Sequence, residues 1–180
     1  MKQASRFMPR YKPGKVNKPA LFAFLAIALA VVIYQPWFLA VIAGIAALVI
    51  VWSAIDQPKV ERHFIELCKE RDGLSICEFA REFDPKVVDT WVIRAVYEQV
   101  QAALPTKQSV PIKASDTLFD VLKLDEDDLD LDLVEEIAQR TGRSLDGHKN
   151  NPYYGKITTP QKLVLFFNHQ DRANANANAT

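Results

Sequence analysis

The residues with most chemistry to offer are the acids between Asp116 and Ile137: Asp116, Asp120, Asp125, Glu126, Asp127, Asp128, Asp130, Asp132, Glu135 and Glu136, with Lys123 as the lone base. Carboxylates at that density can ligate a cation, move protons or capture a basic partner. A calcium loop would use Asp125, Asp127 and Glu136 as its first, third and twelfth positions. Leu129 at the fifth position and Asp130 at the obligatory glycine spoil it. His63, His148 and His169 have no neighbouring nucleophile or ligand spacing, and read as surface or cap residues. Cys68 and Cys77 are too few for a disulfide framework and lack a metal-ligand pattern, so they read as reduced packing residues. No glycine loop for phosphate is present. These patterns predict no catalytic residue, no metal and no cofactor, which leaves capture of a partner.

A capture surface needs a scaffold, and the acidic run supplies part of its own. Leu118, Phe119, Leu122, Leu124, Leu129, Leu131, Leu133, Val134 and Ile137 thread through it, far too apolar for a solvated tail. On a helix Leu129, Leu133, Val134 and Ile137 share one side, and Asp128, Asp132, Glu135 and Gln139 line the other. The expected element is a helix with a packed face and an anionic ridge, closed at Thr141-Gly142.

Formal net charge is zero, but the charges are segregated. Lys2, Arg6, Arg10, Lys12, Lys15 and Lys18 precede any acid, a composition that suits an anionic membrane surface. No charge occurs from Pro19 to Ile55, and Gln35-Pro36 interrupts the middle. A bilayer core takes about 20 apolar residues per helix, so this length predicts a hairpin of two short spans, at about 20–34 and 37–55. A single tilted helix or a re-entrant loop is the alternative. A cleaved signal is disfavoured, because the run is much longer than a signal's apolar core of about 7–15 residues. Bases before the first span, and Lys59, Arg62, Lys69 and Arg71 after the second, put both termini in the cytoplasm of a bacterial-type inner membrane. Ala40, Gly44 and Leu48, with Ala43 and Ala47, form a small-residue stripe for the first helix or for another copy, hence a possible homo-oligomer.

Beyond Ile55 the pattern is that of amphipathic helices. One is expected from Pro58 to about Arg71, ended by Asp72-Gly73, and a short one to about Phe83 opens on the Ser75–Glu78 capping box. A long one from Pro85 to about Leu104 would carry Val88, Trp91, Val92, Ala95, Val96, Gln99 and Ala103 on its core face. A polar connector follows to Ala114, and an apolar helix from Pro160 to about His169 carries Leu163, Val164, Phe166 and Phe167. Residues 75–94 also resemble a helix-turn-helix. Its second helix balances Lys86 and Arg94 with Asp89 and Glu98, which argues against nucleic acid as a partner.

Residues from about Val88 to Gln170 resemble an acyl carrier protein, the four-helix bundle that bears acyl groups on a phosphopantetheine arm. The likeness rests on a long first helix with a long loop after it, on Asp127-Asp128-Leu129-Asp130 opening an acidic second helix, and on Lys156-Ile157-Thr158-Thr159 before an apolar last helix. The resemblance implies that the acidic helix docks on basic patches of partner proteins, through Asp128, Asp132, Glu135 and Glu136. It also shows a departure. Asp128 stands where the family has its attachment serine, and a carboxylate cannot form the phosphodiester. Lys123 stands where the family usually has a glycine.

The expected organisation is all-α: a basic cytoplasmic tail (1–18), a transmembrane hairpin (19–55), a helical linker region (56–84), a carrier-like bundle (85–170) and an Ala/Asn tail (171–180). The expected function is a membrane-anchored, non-enzymatic docking or regulatory module, with membrane lipids and a basic protein as partners. A genuine acyl carrier for lipid or envelope synthesis is the alternative, followed by a membrane-tethered helix-turn-helix regulator.

Overall fold

The computed structural model describes residues 4–13, 18–35, 37–125 and 133–173. Its helices are α1 (Lys18–Tyr34), α2 (Trp37–Glu70), α3 (Ile76–Arg81), α4 (Thr90–Ala103), α5 (Val134–Thr141) and α6 (Pro160–His169), with 3-10 turns at Ser5–Phe7 and His148–Asn150. Among the described residues there is no strand, only an isolated bridge between Arg143 and Arg172. The protein is all-helical. It divides into two compact units, one of Lys12–Arg62 and one of Met1–Tyr11 with His63–Thr180.

The first unit holds α1 and most of α2. α1 stops at Tyr34, before Gln35-Pro36, because proline disfavours the helical conformation in the residue ahead of it. Its 17 residues rise about 26 Å, a little under a hydrocarbon core of about 30 Å. The stretch Leu39–Glu70 of α2 is, by length and composition, apolar enough to cross a membrane, with a mean hydropathy of 2.3 in its most apolar window and none of that window buried. Phe22, Ile33, Leu48 and Trp52 stay 70%, 70%, 72% and 77% exposed. Among the described residues the small-residue stripe packs on nothing at Gly44, since a Cβ there would meet no neighbouring atom within 4 Å.

Pro58 does not open a helix as the sequence suggested; it lies inside α2. Proline keeps a helical φ and forfeits its own N–H bond and the space beside the carbonyl four residues back, at about 3 kcal/mol. Good helix formers on both sides (Ala54, Gln57, Lys59, Glu61, Arg62) carry the helix through.

The second unit is built on α4, which packs against α3, α5, α6 and the N-terminal 3-10 turn. Val92, Ala95, Val96 and Val100 of α4 are completely buried, and each aliphatic side chain so removed from water contributes about 1.5–3 kcal/mol. Phe79 of α3, Ile137 of α5 and Leu163, Val164 and Phe167 of α6, the helices packed on α4, are buried with them, as is Phe64 at the end of α2. Phe79 sits 5.3 Å from Phe83 and 5.2 Å from Tyr97 between ring centroids. The Ser75–Glu78 capping box is formed, and Thr159 caps α6 with Pro160 at its first position.

Two expectations change here. α4 begins at Thr90, with Asp89 as its N-cap, rather than at Pro85. Asp84 instead closes a single turn by accepting from the Lys86 N–H, at 2.9 Å. The connector after α4 is less polar in its role than in its composition, since Val110, Ile112 and Ala114 are buried. It can enter the core because its backbone is satisfied: Val110 O accepts from Gln101, Pro111 O from Arg71, and the Ala114 N–H donates to Glu82.

Candidate functional site

The acids do not form one surface. Asp116 is buried, and its carboxylate accepts both terminal nitrogens of Arg71 at 2.7 Å and the Lys113 N–H at 2.8 Å. This fork-to-fork pair fastens the end of α2 to the connector. Asp116 therefore belongs to the interior rather than to an anionic face, because Arg71 neutralises it there. Asp120, Asp125 and Glu135 are exposed. Glu126, Asp127, Asp128, Asp130 and Asp132 lie outside the described residues. Two of the four predicted docking residues can therefore be placed: Glu135 and Glu136 in the first turn of α5, where the helix dipole favours negative charge.

Their environments differ. Glu135 is open to solvent, whereas Glu136 is half-buried and accepts from the Gln99 amide. The Gln99 carbonyl oxygen accepts from Arg140 at 2.6 Å, Arg140 also donates to Glu98, and Arg94 donates to Glu98 at 2.9 Å. The network continues to the N-terminal segment. Arg94 Nε donates to Ser5 Oγ at 3.3 Å, and Arg140 Nε to the Pro9 carbonyl at 3.2 Å. Burial pushes the Glu98 carboxyl up, but the hydrogen bonds and charges of Arg140 and Arg94 outweigh it and hold the group below the usual carboxylate range. Burial pushes the Tyr97 phenol up.

This polar seam joins α5, α4 and the first residues of the chain. Sequence reasoning missed it, although the i,i+4 spacing of Arg94 and Glu98 and the lone base Arg140 on an acid-led helix were the available signals. The N-terminal residues were expected to remain a tail; Met8 is instead buried, 8% exposed, against the helical unit.

A second cluster surrounds the start of α4. Asp89 caps the Trp91 N–H at 3.1 Å and takes Arg143 at 3.5 Å and Arg172 at 3.3 Å. Its own N–H donates to Asn168 Oδ1 at 3.0 Å, and Asn168 Nδ2 donates to Val87 O at 3.1 Å. An open groove of about 510 Å³ lies beside it. Arg94, the base that a helix-turn-helix would need for phosphate, is engaged by Glu98 and Ser5.

The histidines bond to backbone carbonyls: His63 to Val121, His148 to Leu145 and His169 to Leu165. Cys68 is half-buried, but Cys77 is exposed at the start of α3, a correction to its reading as a packing residue. Its place in the first turn, with its N–H accepted by Ser75 Oγ, turns it away from the core. Among the described residues no group of His, Cys, Asp and Glu is arranged to hold a metal. Lys123 has a left-handed backbone, φ +56°, which an L residue adopts at some cost and glycine adopts freely. No protein family, curated protein or solved structure matches this chain.

Proposed function

We propose that the chain is a membrane-anchored docking or regulatory module without enzymatic activity, in which a two-span hairpin holds a carrier-like helical bundle at the cytoplasmic face. The observation that carries this reading is the presence in one chain of an apolar helix with none of its most apolar window buried and a separately packed helical unit. Exposed apolar surface on the scale of α1 and α2 needs lipid or another protein to cover it.

Two observations bear on the topology, the first on its inward orientation and the second on both ends sharing one side. One is the run of bases before α1 together with those after the apolar part of α2. The other is connectivity: both ends of the Lys12–Arg62 unit are covalently joined to segments of the same folded body, Met1–Tyr11 and His63–Thr180. A segment that leaves a body and returns to it crosses a bilayer an even number of times.

The docking surface is the acidic helix, with Asp128, Asp132, Glu135 and Glu136 facing a basic partner protein. Glu135 favours this reading, being exposed and in the first turn. Glu136 is shared with Gln99 and contributes less. Charge reversal at Asp132 and Glu135 removes the partner that crosslinks to the chain in native membranes; undiminished crosslinking overturns the ridge.

The left-handed backbone at Lys123 favours the genuine carrier as the second reading, because that is where the carrier family has its glycine. Intact-mass measurement after incubation with a phosphopantetheinyl transferase separates the two. A gain in mass makes the chain a carrier, and an unchanged mass supports the docking module.

A further inference from the structure

The first residues of the chain are docked on the helical unit in a way that turns some side chains in and others out. Met8 is buried, Ser5 Oγ accepts from Arg94 and the Pro9 carbonyl accepts from Arg140, so this register is fixed from beneath. Between these anchors Arg6 and Phe7 face solvent, and Arg10 follows them. Phe7 is 57% exposed, and the Arg6 guanidinium lies 4.9 Å from its ring centroid. Among the described residues of this unit, exposed large apolar side chains are confined to Phe7, Val87 and Tyr154.

We infer that Arg6, Phe7 and Arg10 form a preorganised contact for an anionic phospholipid surface. The inference rests on the membrane-anchored reading above. An aromatic ring with guanidiniums beside it suits the headgroup layer, where the ring takes the acyl boundary and the cations take phosphate. Charge favours the same occupant, because no acid precedes Asp56 in the chain. Glu98, a carboxylate of the seam on which the segment is docked, is already matched by Arg94 and Arg140. Chain length favours it too. Arg10 is joined to the start of α1 at Lys18 by a chain that spans at most about 28 Å when extended. The fixed register matters because docking has already removed most of the conformational freedom that a loose basic tail would lose on binding.

The test uses the full chain with Cys68→Ala and Cys77→Ala, reconstituted in vesicles of phosphatidylcholine alone or mixed with phosphatidylglycerol. A fluorophore on Ala4→Cys reports quenching by brominated acyl chains, and one on Leu48→Cys serves as reference. The expected result is strong quenching at position 48 in both lipids. At position 4, quenching is expected to be at least twofold greater with phosphatidylglycerol and to be lost in Phe7→Ser and in the pair Arg6→Gln, Arg10→Gln. Equal quenching at position 4 in the two lipids, or quenching that survives those substitutions, overturns the inference and leaves the anchor intact. No quenching at position 48 overturns the anchor, and the inference with it.

Discussion

The Lys12–Arg62 unit and the helical unit are both rich in large apolar side chains, yet they place them in opposite environments. In the helical unit Phe64, Val92, Leu118 and Phe167 are completely buried, while in the other Leu48 is 72% and Ile33 70% exposed. α2 contains both regimes: its residues before Asp56 carry no charge, and its last turns put Phe64 and Leu67 in a core and Glu66, Lys69 and Glu70 outside. The lesson is that apolar content by itself does not identify a core. Pattern does. The region with polar residues at helical intervals folds on itself, and the region without them leaves its apolar side chains exposed.

The largest effect that would sharpen this contrast is at the buried pair that joins the end of α2 to the connector. Arg71→Ala leaves the Asp116 carboxylate buried without its counter-charge, and the expected loss is about 3–5 kcal/mol. The paired change Arg71→Met with Asp116→Leu is expected to recover most of it, since replacing both partners removes the unmatched charge. Denaturant titration of the full chain in mild detergent, read by segment-resolved amide exchange, checks both variants. Protection should fall across the helical unit and remain in α1. Parallel loss in α1 would break the distinction between the units.

A matched pair of truncations compares the two regions directly. Phe64→Ala, at a completely buried site, is expected to cost about 3–5 kcal/mol. Leu48→Ala, removing a side chain that touches little of the protein, is expected to stay within about 0.5 kcal/mol in the same titration. A large effect at Leu48 would mean that a second copy covers that face, which the dependence of the loss on protein concentration would reveal.

Much of the fold was legible because local signals agreed with one another. Thr159-Pro160 and the run Leu163, Val164, Phe166, Phe167 place α6; Ser75 and Glu78 place α3; and Thr141-Gly142 ends α5, with Gly142 left-handed at φ +64°. What the sequence hid is non-local. Asp84-Pro85 and Asp89-Thr90 both look like helix starts, and the second prevails with Asn168 bonding both the Asp89 N–H and the Val87 carbonyl from the far end of the chain. Asp116 could not be told from the other acids of its run because its neutralising partner, Arg71, lies in another element. The docking of Met8 and the carbonyl of Pro9 could not be read from a basic segment whose charges all suggest an exposed tail. At the candidate site, the acidity of α5 was legible, but its division into an open Glu135 and an engaged Glu136 depends on Gln99, a residue read only as part of a core stripe.

A smaller effect tests how far the caps set the helical unit. Thr159→Ala removes the oxygen that accepts the Lys162 N–H at 3.3 Å and is expected to cost about 1 kcal/mol, with Thr159→Ser retaining most of the stability. Exchange of the first amides of α6 reports it, and equal losses in the two variants would mean that the methyl group, not the cap, is what matters.

The smallest effect concerns pH and the seam that holds the N-terminal segment. The Glu98 carboxyl is lowered in the folded chain, because the bonds from Arg140 and Arg94 exceed the opposing effect of burial. Its contribution is therefore present above the ordinary glutamate range and is lost as pH falls through the lowered folded value. Half-exposed as it is, the group is screened by solvent, so the change in global stability is small, and it is local release that should be visible. Acidification is expected to raise amide exchange at Met8 before it raises exchange in α4, and Glu98→Gln is expected to show the faster Met8 exchange already at neutral pH with a flatter dependence on acid. If Met8 and α4 lose protection together in both proteins, the N-terminal segment is part of the cooperative core and the seam does not act as its fastening.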